Sequence, residues 1–207
     1  MTNTTNQTFP ARFFDDIRPY DDSEIPAAMK SIAQSELFHQ LAEFVFPEKT
    51  IEEVASILNE IKTTDEFQHR VMYHFNRSVI RRSIRHFTCK GLENISPDKA
   101  YMFVSNHRDI VLDASLLQNA LTDHGLPTTE ITFGANLMCH PLIIDIGKSN
   151  KMFRVERGGT AREFYRSSLH LSQYMRNSIT HKKASVWIAQ RNGRTKNGID
   201  ATDQGLI

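Results

Sequence analysis

The chain has 207 residues, of which 40% are hydrophobic, and its 25 lysines and arginines nearly balance 24 acidic residues to leave a formal net charge of +1. This composition predicts one folded domain with a helical appendage, and it excludes a disordered chain and a protein drawn to nucleic acid or anionic lipid by its overall charge. No signal-like apolar run opens the sequence, and no uncharged stretch approaches the roughly 20 residues that a spanning helix needs, so we expect a soluble or peripheral protein.

The first 87 residues are predicted to be helical after a short lead-in. Residues 1–20 begin as a polar stretch and are expected to form a flexible lead-in, in which Asp15 to Tyr20 is extended. Residues 21–87 carry apolar side chains at helical spacing and form the predicted N-terminal helical region. The predicted helices start near Ser23, run from Glu36 to Phe46, start at Thr50, and run from Asp65 to Phe87.

Four arginines gather near the end of the last of these helices, namely Arg77, Arg81, Arg82 and Arg85. Basic residues favour the C-terminus of a helix through its macrodipole, so the cluster is explained as a solvated basic face. Short basic clusters also attract the phosphates of an anionic bilayer. The sequence leaves both interpretations open, and the second would give the chain a peripheral membrane contact.

From Gly91 onward the pattern changes to strands and helices in turn. The predicted strands are 101–105, 130–137, 152–156 and 184–189, and the predicted helices are 110–122 and 160–181. This alternation predicts an α/β fold with a mixed, mostly parallel sheet flanked by helices and preceded by the N-terminal helical region. The α/β domain is expected to span residues 88–207 and to be incomplete at its C-terminus, because the sequence turns apolar and stops at Ile207.

The two cysteines, Cys89 and Cys139, are far apart in the sequence and lack the spacing of metal ligands. We expect them to be two buried thiols. Their number and spacing fit a reducing compartment, so the expected location is cytoplasmic, with a peripheral position at the inner face of the membrane.

A histidine and two carboxylates follow the first predicted strand. Asn106 breaks the apolar run 101–105, so His107 should emerge at the strand's carboxyl end, where open α/β sheets bind ligands. A histidine can take a proton from a hydroxyl near neutral pH, and a carboxylate can orient its ring. Asp113 or Asp109 could supply that carboxylate. The plain alternative makes His107 a strand-end residue and Asp109 a helix cap.

Two basic, glycine-containing turns follow later strands and are expected at the same edge of the sheet. Arg157 precedes two glycines and a helix start, which together would cradle an anion. The loop after the last strand holds Arg191, Arg194 and Lys196 around Gly193 and favours a phosphate-bearing ligand. Each turn taken alone also fits an ordinary solvated surface.

Together these segments resemble the motifs of the glycerolipid acyltransferases, the lysophosphatidate and glycerol-phosphate acyltransferases. That family has a Gly-Leu-Glu-Asn-like turn, a strand that ends in Asn-His with an Asp soon after, a Phe-x-x-x-Arg strand and a loop with Glu-Gly. The counterparts here are Gly91 to Ile95, Asn106-His107 with Asp113, Phe153 to Arg157, and Gln190 to Arg194. The resemblance covers residues 88 to 200 or so.

The resemblance implies an enzyme of phospholipid biosynthesis that moves a fatty acyl group from acyl-CoA or acyl carrier protein to the hydroxyl of glycerol phosphate or lysophosphatidate. It implies that His107 is the general base, that Asp113 orients it, and that no acyl-enzyme forms. Arg157, helped by Arg194, would hold the acceptor phosphate, while Gly193 would let the backbone approach the acceptor. The resemblance implies no metal and no prosthetic group. We expect no nucleic-acid partner, because the arginines are matched by acids and lack interleaved aromatic residues.

Two departures from the family pattern bear on activity. Five residues separate His107 from Asp113 where four are commoner, so Asp109 remains a rival for the orienting role. Asn192 stands where the family usually has Glu, and an amide carries no charge. The Asn192 change motivates an alternative function, a non-catalytic binding or scaffold homologue of the fold. A third hypothesis is a metal-dependent hydrolase using His107 and both aspartates, which the lack of a second histidine at ligand spacing disfavours.

Overall fold

The computed structural model of the chain describes residues 9–10 and 12–203, and helices fill its first part. Apolar side chains at helical spacing give the first four of these helices one buried side, and threonine capping boxes begin the third and fourth, at Thr50 and Thr63. The helices are α1 Ile25–Ala33, α2 Phe38–Val45, α3 Ile51–Glu60, α4 Thr64–Phe67 and α5 Tyr73–Ser83.

The rest of the chain forms a four-stranded parallel sheet with helices between its strands, which confirms the predicted α/β class. Every pairing is parallel, so the sheet is not mixed, and the strand order is β1-β4-β2-β3. The strands are β1 Met102–Ser105, β2 Glu130–Gly134, β3 Met152–Val155 and β4 Val186–Ala189. The helices between or before them are α6 Leu112–Asp123, α7 Pro141–Ser149 and α8 Ala161–Asn177.

The second strand is shorter than the sequence predicts. It ends at Gly134 instead of 137, because its neighbour β3 ends at Val155, which is the partner of Gly134 in the register. Without a neighbouring strand to pair with, Ala135–Leu137 closes into a single tight helical turn.

The two faces of the sheet are covered by different elements. Phe103 and Trp187 pack with Ala114 and Leu117 of α6 on one face. On the other face, the buried side chains of β3, β4 and α8 meet Phe14 and Ile17. These contacts correct the prediction of an extended segment from Asp15 to Tyr20, because residues 12–17 form turns that bury two apolar side chains on the sheet. Residues 1–8 and 11 of the predicted lead-in lie outside the described residues.

The N-terminal helices pack on the α/β part through α6 and α7. Residues of α1 to α4 share one apolar core with Leu142 of α7. Along α5, the Asn76 side chain donates to Asn119 Oδ1 at 3.0 Å, and Tyr73 Oη donates to Asp123 Oδ1 at 2.6 Å. These two contacts make α5 and α6 antiparallel neighbours, so the end of α5 lies level with the first turn of α6.

The segment that follows α5 departs from the prediction. The helix ends at Ser83 and not at Phe87, because Ile84 adopts an extended backbone with φ −123° and ψ 123°. Cys89 lies in the extended segment that follows and is exposed, and Cys139 is exposed in the loop before α7. The prediction of two buried thiols is therefore wrong, since neither cysteine lies on an element that packs against the core.

Candidate active site

His107 lies just past the end of β1, at the carboxyl edge of the sheet. Only 6% of the residue is exposed. Its Nδ1 atom is 3.1 Å from Oδ2 of Asp113, at the start of α6. A carboxylate oxygen can only accept a hydrogen bond, so Nδ1 carries the proton in this contact, and in the neutral imidazole Nε2 is the nitrogen with the lone pair. No hydrogen bond to a described residue occupies Nε2.

The Asp113 carboxylate is itself held by the backbone of the loop between β1 and α6. The same oxygen that contacts His107 accepts hydrogen bonds from the backbone N–H of Arg108 at 2.8 Å and of Asp109 at 3.1 Å. Three donors therefore converge on one carboxylate oxygen, which folds the loop back over the start of α6. This loop fixes both the position of the carboxylate and the orientation of the imidazole.

Asp109, the other candidate carboxylate, has a different place. Its Oδ1 accepts from the backbone N–H of Val111 and of Leu112, each at 2.8 Å, so it caps the start of α6. The hydrogen bond from the Leu112 amide does most to hold the pKa of Asp109 below its usual value, and the Val111 amide and the positive charge of Arg194 act in the same direction. Of the two carboxylates that the sequence leaves open, Asp113 is the one in hydrogen-bond contact with His107.

A second loop, residues 190–203 after β4, lies against the His107 loop, and we call it the strap. The Gln190 N–H donates to the Ser105 carbonyl at 2.8 Å, and its side chain donates to Asn106 Oδ1 at 3.1 Å. Farther along, the Thr195 N–H donates to the His107 carbonyl at 2.9 Å. The strap thus contacts the backbone on both sides of Asn106.

Asp200 of the strap is a residue that the sequence analysis missed. Its Oδ2 accepts from the Asn106 side chain at 2.8 Å and forms an ion pair with Arg108. Asn106 and Arg108 are the immediate neighbours of His107. No local pattern could have revealed Asp200, because more than 90 residues separate it from both partners.

A cleft of about 440 Å³ runs between α8 and the sheet face opposite α6. Its apolar lining comes from the strands, from α8 and from the helical turn after α8, and includes Met102, Val155, Phe164, Leu171, Met175, Ile179 and Ile188. Arg157, Arg191 and Asn192 line it where β3 and β4 end, together with the acidic residues Glu156 and Asp203. An elongated apolar group with an anionic end would match this lining of hydrocarbon and guanidinium groups.

The Arg157 guanidinium lies directly against Gly134 at the end of β2. A methyl group on Gly134 would be 3.0 Å from Arg157 Nε and 2.7 Å from Asn136 Oδ1. Gly134 has an ordinary φ of −63°, so a larger residue here would be opposed by this close approach and not by the backbone conformation, and the Asn136 and Arg157 side chains would have to move. Gly134 is a second site residue that sequence reasoning missed, although a glycine at a strand end is a known sign of close packing.

The other predicted residues of the strap are also at this edge. Asn192 lines the cleft with Arg157, and Gly193 adopts a φ of +77° that favours glycine. Arg194 is exposed and lines a separate surface cavity of about 400 Å³ with Arg191 and Lys196. His107 is not among the residues that line either cavity. The predicted residues therefore form two groups at one edge of the sheet. His107 contacts Asp113, whereas Arg157 and Asn192 line the same cleft.

Two further properties concern the described residues alone. In residues 9–10 and 12–203, no helix is both long enough and apolar enough to cross a bilayer. Across the same ranges, no group of three or more His, Cys, Asp or Glu side chains is arranged to hold a metal ion.

Comparison with known proteins identifies the family. A family model described as Acyltransferase matches residues 86–198, which is more than half of the chain and contains β1 to β4 and the His107 loop. No curated protein matches the chain. The matched range coincides with the segments that resemble the glycerolipid acyltransferase motifs, and we conclude that the chain belongs to the acyltransferase family.

Proposed function

We propose that the chain is a glycerolipid O-acyltransferase that uses His107 as a general base oriented by Asp113. The observation that carries this proposal is the 3.1 Å contact between His107 Nδ1 and Asp113 Oδ2, at the carboxyl end of β1 in an acyltransferase-family chain. The contact supports a protonated Nδ1, which leaves the Nε2 lone pair for the proton of an acceptor hydroxyl.

The proposed reaction is a direct acyl transfer. Nε2 of His107 takes the hydroxyl proton while the acceptor oxygen forms a bond to the thioester carbonyl carbon. The carbon–sulfur bond then breaks, and the thiolate leaves with the electron pair and receives the proton from the imidazolium. Asp113 stabilises the imidazolium between these two steps through its negative charge. No covalent bond to the protein forms.

The acceptor is proposed to be glycerol phosphate or lysophosphatidate. Arg157 supports this, since its guanidinium lines the cleft at the sheet edge and forms no ion pair with any described residue. Arg194, Gly193 and Asn192 are proposed to complete the acceptor site. The apolar wall of the cleft fits a fatty chain, and the proposed donor is acyl-CoA or acyl carrier protein, without a metal or a prosthetic group.

We also propose a cytoplasmic protein of phospholipid biosynthesis in peripheral contact with the inner face of the membrane. The lipid acceptor motivates this location, because a lysophosphatidate with a long chain resides in a bilayer.

The test is release of free thiol from acyl-CoA in the presence of lysophosphatidate, measured for the purified chain and for His107→Ala. General-base catalysis contributes about 10² to 10⁴ in rate, so His107→Ala is expected to lose turnover by that factor. His39→Ala is the matched control, because His39 is an exposed histidine of α2. Full turnover by His107→Ala would remove the general-base assignment.

Asn192 is the observation that favours a second function, a binding or scaffold homologue without turnover. If the chain binds lysophosphatidate but releases no thiol, Asn192→Glu separates the two functions. Turnover gained by Asn192→Glu would show that the rest of the site is competent. Binding without turnover in both forms would favour the scaffold.

A further inference from the structure

The most exposed large apolar side chains gather at the carboxyl edge of the sheet. In the described part of the chain, the three with the greatest exposure are Ile110, Ile199 and Tyr165, at 66%, 65% and 64%. Ile110 follows β1, Tyr165 lies in the second turn of α8 after β3, and Ile199 lies in the strap after β4. Because the connections that leave parallel strands all begin at one edge of the sheet, these three side chains come from one side of the molecule.

Further exposed apolar side chains come from the same connections. Val111 lies beside Ile110, Leu137 follows β2, and Phe164 precedes Tyr165. Single exposed apolar side chains are ordinary, whereas several on one side of a molecule mark a surface that contacts something else. Each of the four connections that follow the strands thus carries exposed apolar side chains at the carboxyl edge of the sheet.

The exposure of Ile110 is built into the loop. The Asp113 carboxylate holds the backbone N–H groups of Arg108 and Asp109, and the Asp109 carboxylate holds those of Val111 and Leu112. The backbone is therefore fixed on both sides of Ile110 while its side chain extends into solvent. Because the backbone around Ile110 is already held in place, this segment loses little backbone freedom when a partner covers the side chain.

Cations without an ion-pair partner lie among these apolar groups. Four cations of this edge form no ion pair with any described residue, namely Arg157, Arg162, Arg194 and Lys196. The nearby acids keep their charge but have partners within the protein. Asp109 and Glu163 cap helices, Asp113 holds His107, Asp200 pairs with Arg108, and Glu156 pairs with Arg154.

The end of α5 carries the exposed residues Arg81 and Arg82. Because α5 and α6 run antiparallel with Asn76 opposite Asn119, the last turn of α5 lies level with the first turn of α6. The Arg82 guanidinium lies 4.4 Å from the centre of the Phe44 ring of α2, so this side chain contacts the N-terminal helices and is not counted with the sheet edge.

We propose that this surface, which we call the docking edge and define by Ile110, Tyr165, Ile199, Arg162 and Lys196, binds an anionic lipid bilayer. Charge complementarity identifies the occupant, because unpaired cations among separate apolar side chains suit phosphates above a hydrocarbon layer. Docking would present the mouth of the cleft to lipid. That consequence rests on the proposed function, whereas the docking itself does not.

The test is sedimentation of the whole chain with vesicles of phosphatidylcholine, with and without phosphatidylglycerol. The expected result is binding to the anionic vesicles that weakens at high salt, since each surface cation contributes about a fivefold factor. The double variant Ile110→Ser/Tyr165→Ser is expected to partition at least tenfold less, because each apolar side chain contributes about a tenfold factor. Arg162→Ala/Lys196→Ala should weaken binding to anionic vesicles only.

The control is Leu37→Ser, which removes an exposed apolar side chain from the connection between α1 and α2, away from the docking edge. It is expected to bind as the unmodified chain does. Unchanged melting temperatures of the variants show that all of them are folded. Absence of binding to anionic vesicles, or equal loss in Leu37→Ser and the docking-edge double variant, overturns the proposal.

Two further outcomes are distinguishable. Dimerisation of the chain that Ile110→Ser/Tyr165→Ser abolishes, with no vesicle binding, would assign the docking edge to a second copy and overturn the bilayer. Turnover on a short-chain, water-soluble lysophosphatidate reports on the proposed function alone, and the double variant should retain it while losing turnover on vesicle-borne acceptor. Vesicle binding without turnover on either acceptor would refute the proposed function and leave the docking edge supported.

Discussion

Replacing Asp113 by asparagine tests whether the carboxylate that contacts His107 is the one that orients the base. The substitution preserves shape and removes a charge. Asp113 Oδ2 receives three hydrogen bonds, from the imidazole and from the Arg108 and Asp109 amides. An asparagine that turned its NH₂ group toward them would oppose three N–H donors, so its carbonyl oxygen should stay in this position and Nδ1 of His107 should keep its proton.

The magnitude follows from the loss of charge alone. A hydrogen bond to a charged group contributes about 1.5 to 3 kcal/mol. Because this contact strengthens as His107 becomes an imidazolium, loss of the carboxylate charge raises the activation barrier by about that amount, and about 1.36 kcal/mol corresponds to tenfold in rate. Asp113→Asn is therefore expected to lower kcat by about 10- to 150-fold, with little change in the KM of the acceptor.

The assay is thiol release from acyl-CoA at saturating lysophosphatidate, with Asp109→Asn as the matched control. Asp109 belongs to the same loop and carries the same charge, yet it caps α6 and does not contact the imidazole. Asp109→Asn should therefore retain most of its kcat. Unchanged kcat in Asp113→Asn, or an equal fall in both variants, would refute the assignment of Asp113 as the orienting carboxylate.

Three further substitutions test the surrounding structure. Asp109→Ala should lower the free energy of unfolding by about 1 kcal/mol at neutral pH, measured by urea titration. Because folding lowers the pKa of Asp109, this difference should be present above the unfolded-state pKa and should fade as the pH falls through the folded-state pKa. A difference that does not change with pH would contradict this explanation. Gly134→Ala should displace the Arg157 guanidinium and raise the KM of the acceptor about tenfold, with a smaller change in kcat. An unaltered KM would show that Arg157 does not bind the acceptor. Asp200→Ala should lower kcat about fivefold with little change in melting temperature, since exposed ion pairs add little stability, and unchanged kcat would make the contact merely structural.

The segments that carry chemistry were accessible from the sequence because they depend on local patterns. An apolar run that ends in Asn106-His107 predicts a strand end, and parallel strands bring their carboxyl ends to one edge. The glycine turns after β3 and β4 were found in the same way. The cysteines were predicted wrongly, because composition does not tell whether a loop packs against the core.

Pairings across long distances were not accessible from the sequence. Whether Asp109 or Asp113 contacts His107 depends on how one loop folds back, and both spacings allow it. Asp200 reaches Asn106 and Arg108 only because β4 lies beside β1 in the sheet, which places the strap against the His107 loop. No local pattern in the sequence predicts that strand order.

The α/β class, the position of His107 at a strand end and the basic glycine turns follow from the amino-acid sequence, because hydrophobic periodicity and turn residues act over a few neighbours. The three-dimensional arrangement of the chain was needed to show that Asp113 holds the imidazole, that Gly134 lies against Arg157, and that Asp200 ties the strap to the site. It also decided that Ile110, Tyr165 and Ile199 share one edge with unpaired cations. These contacts join residues far apart in the chain, so they follow from strand order and helix packing.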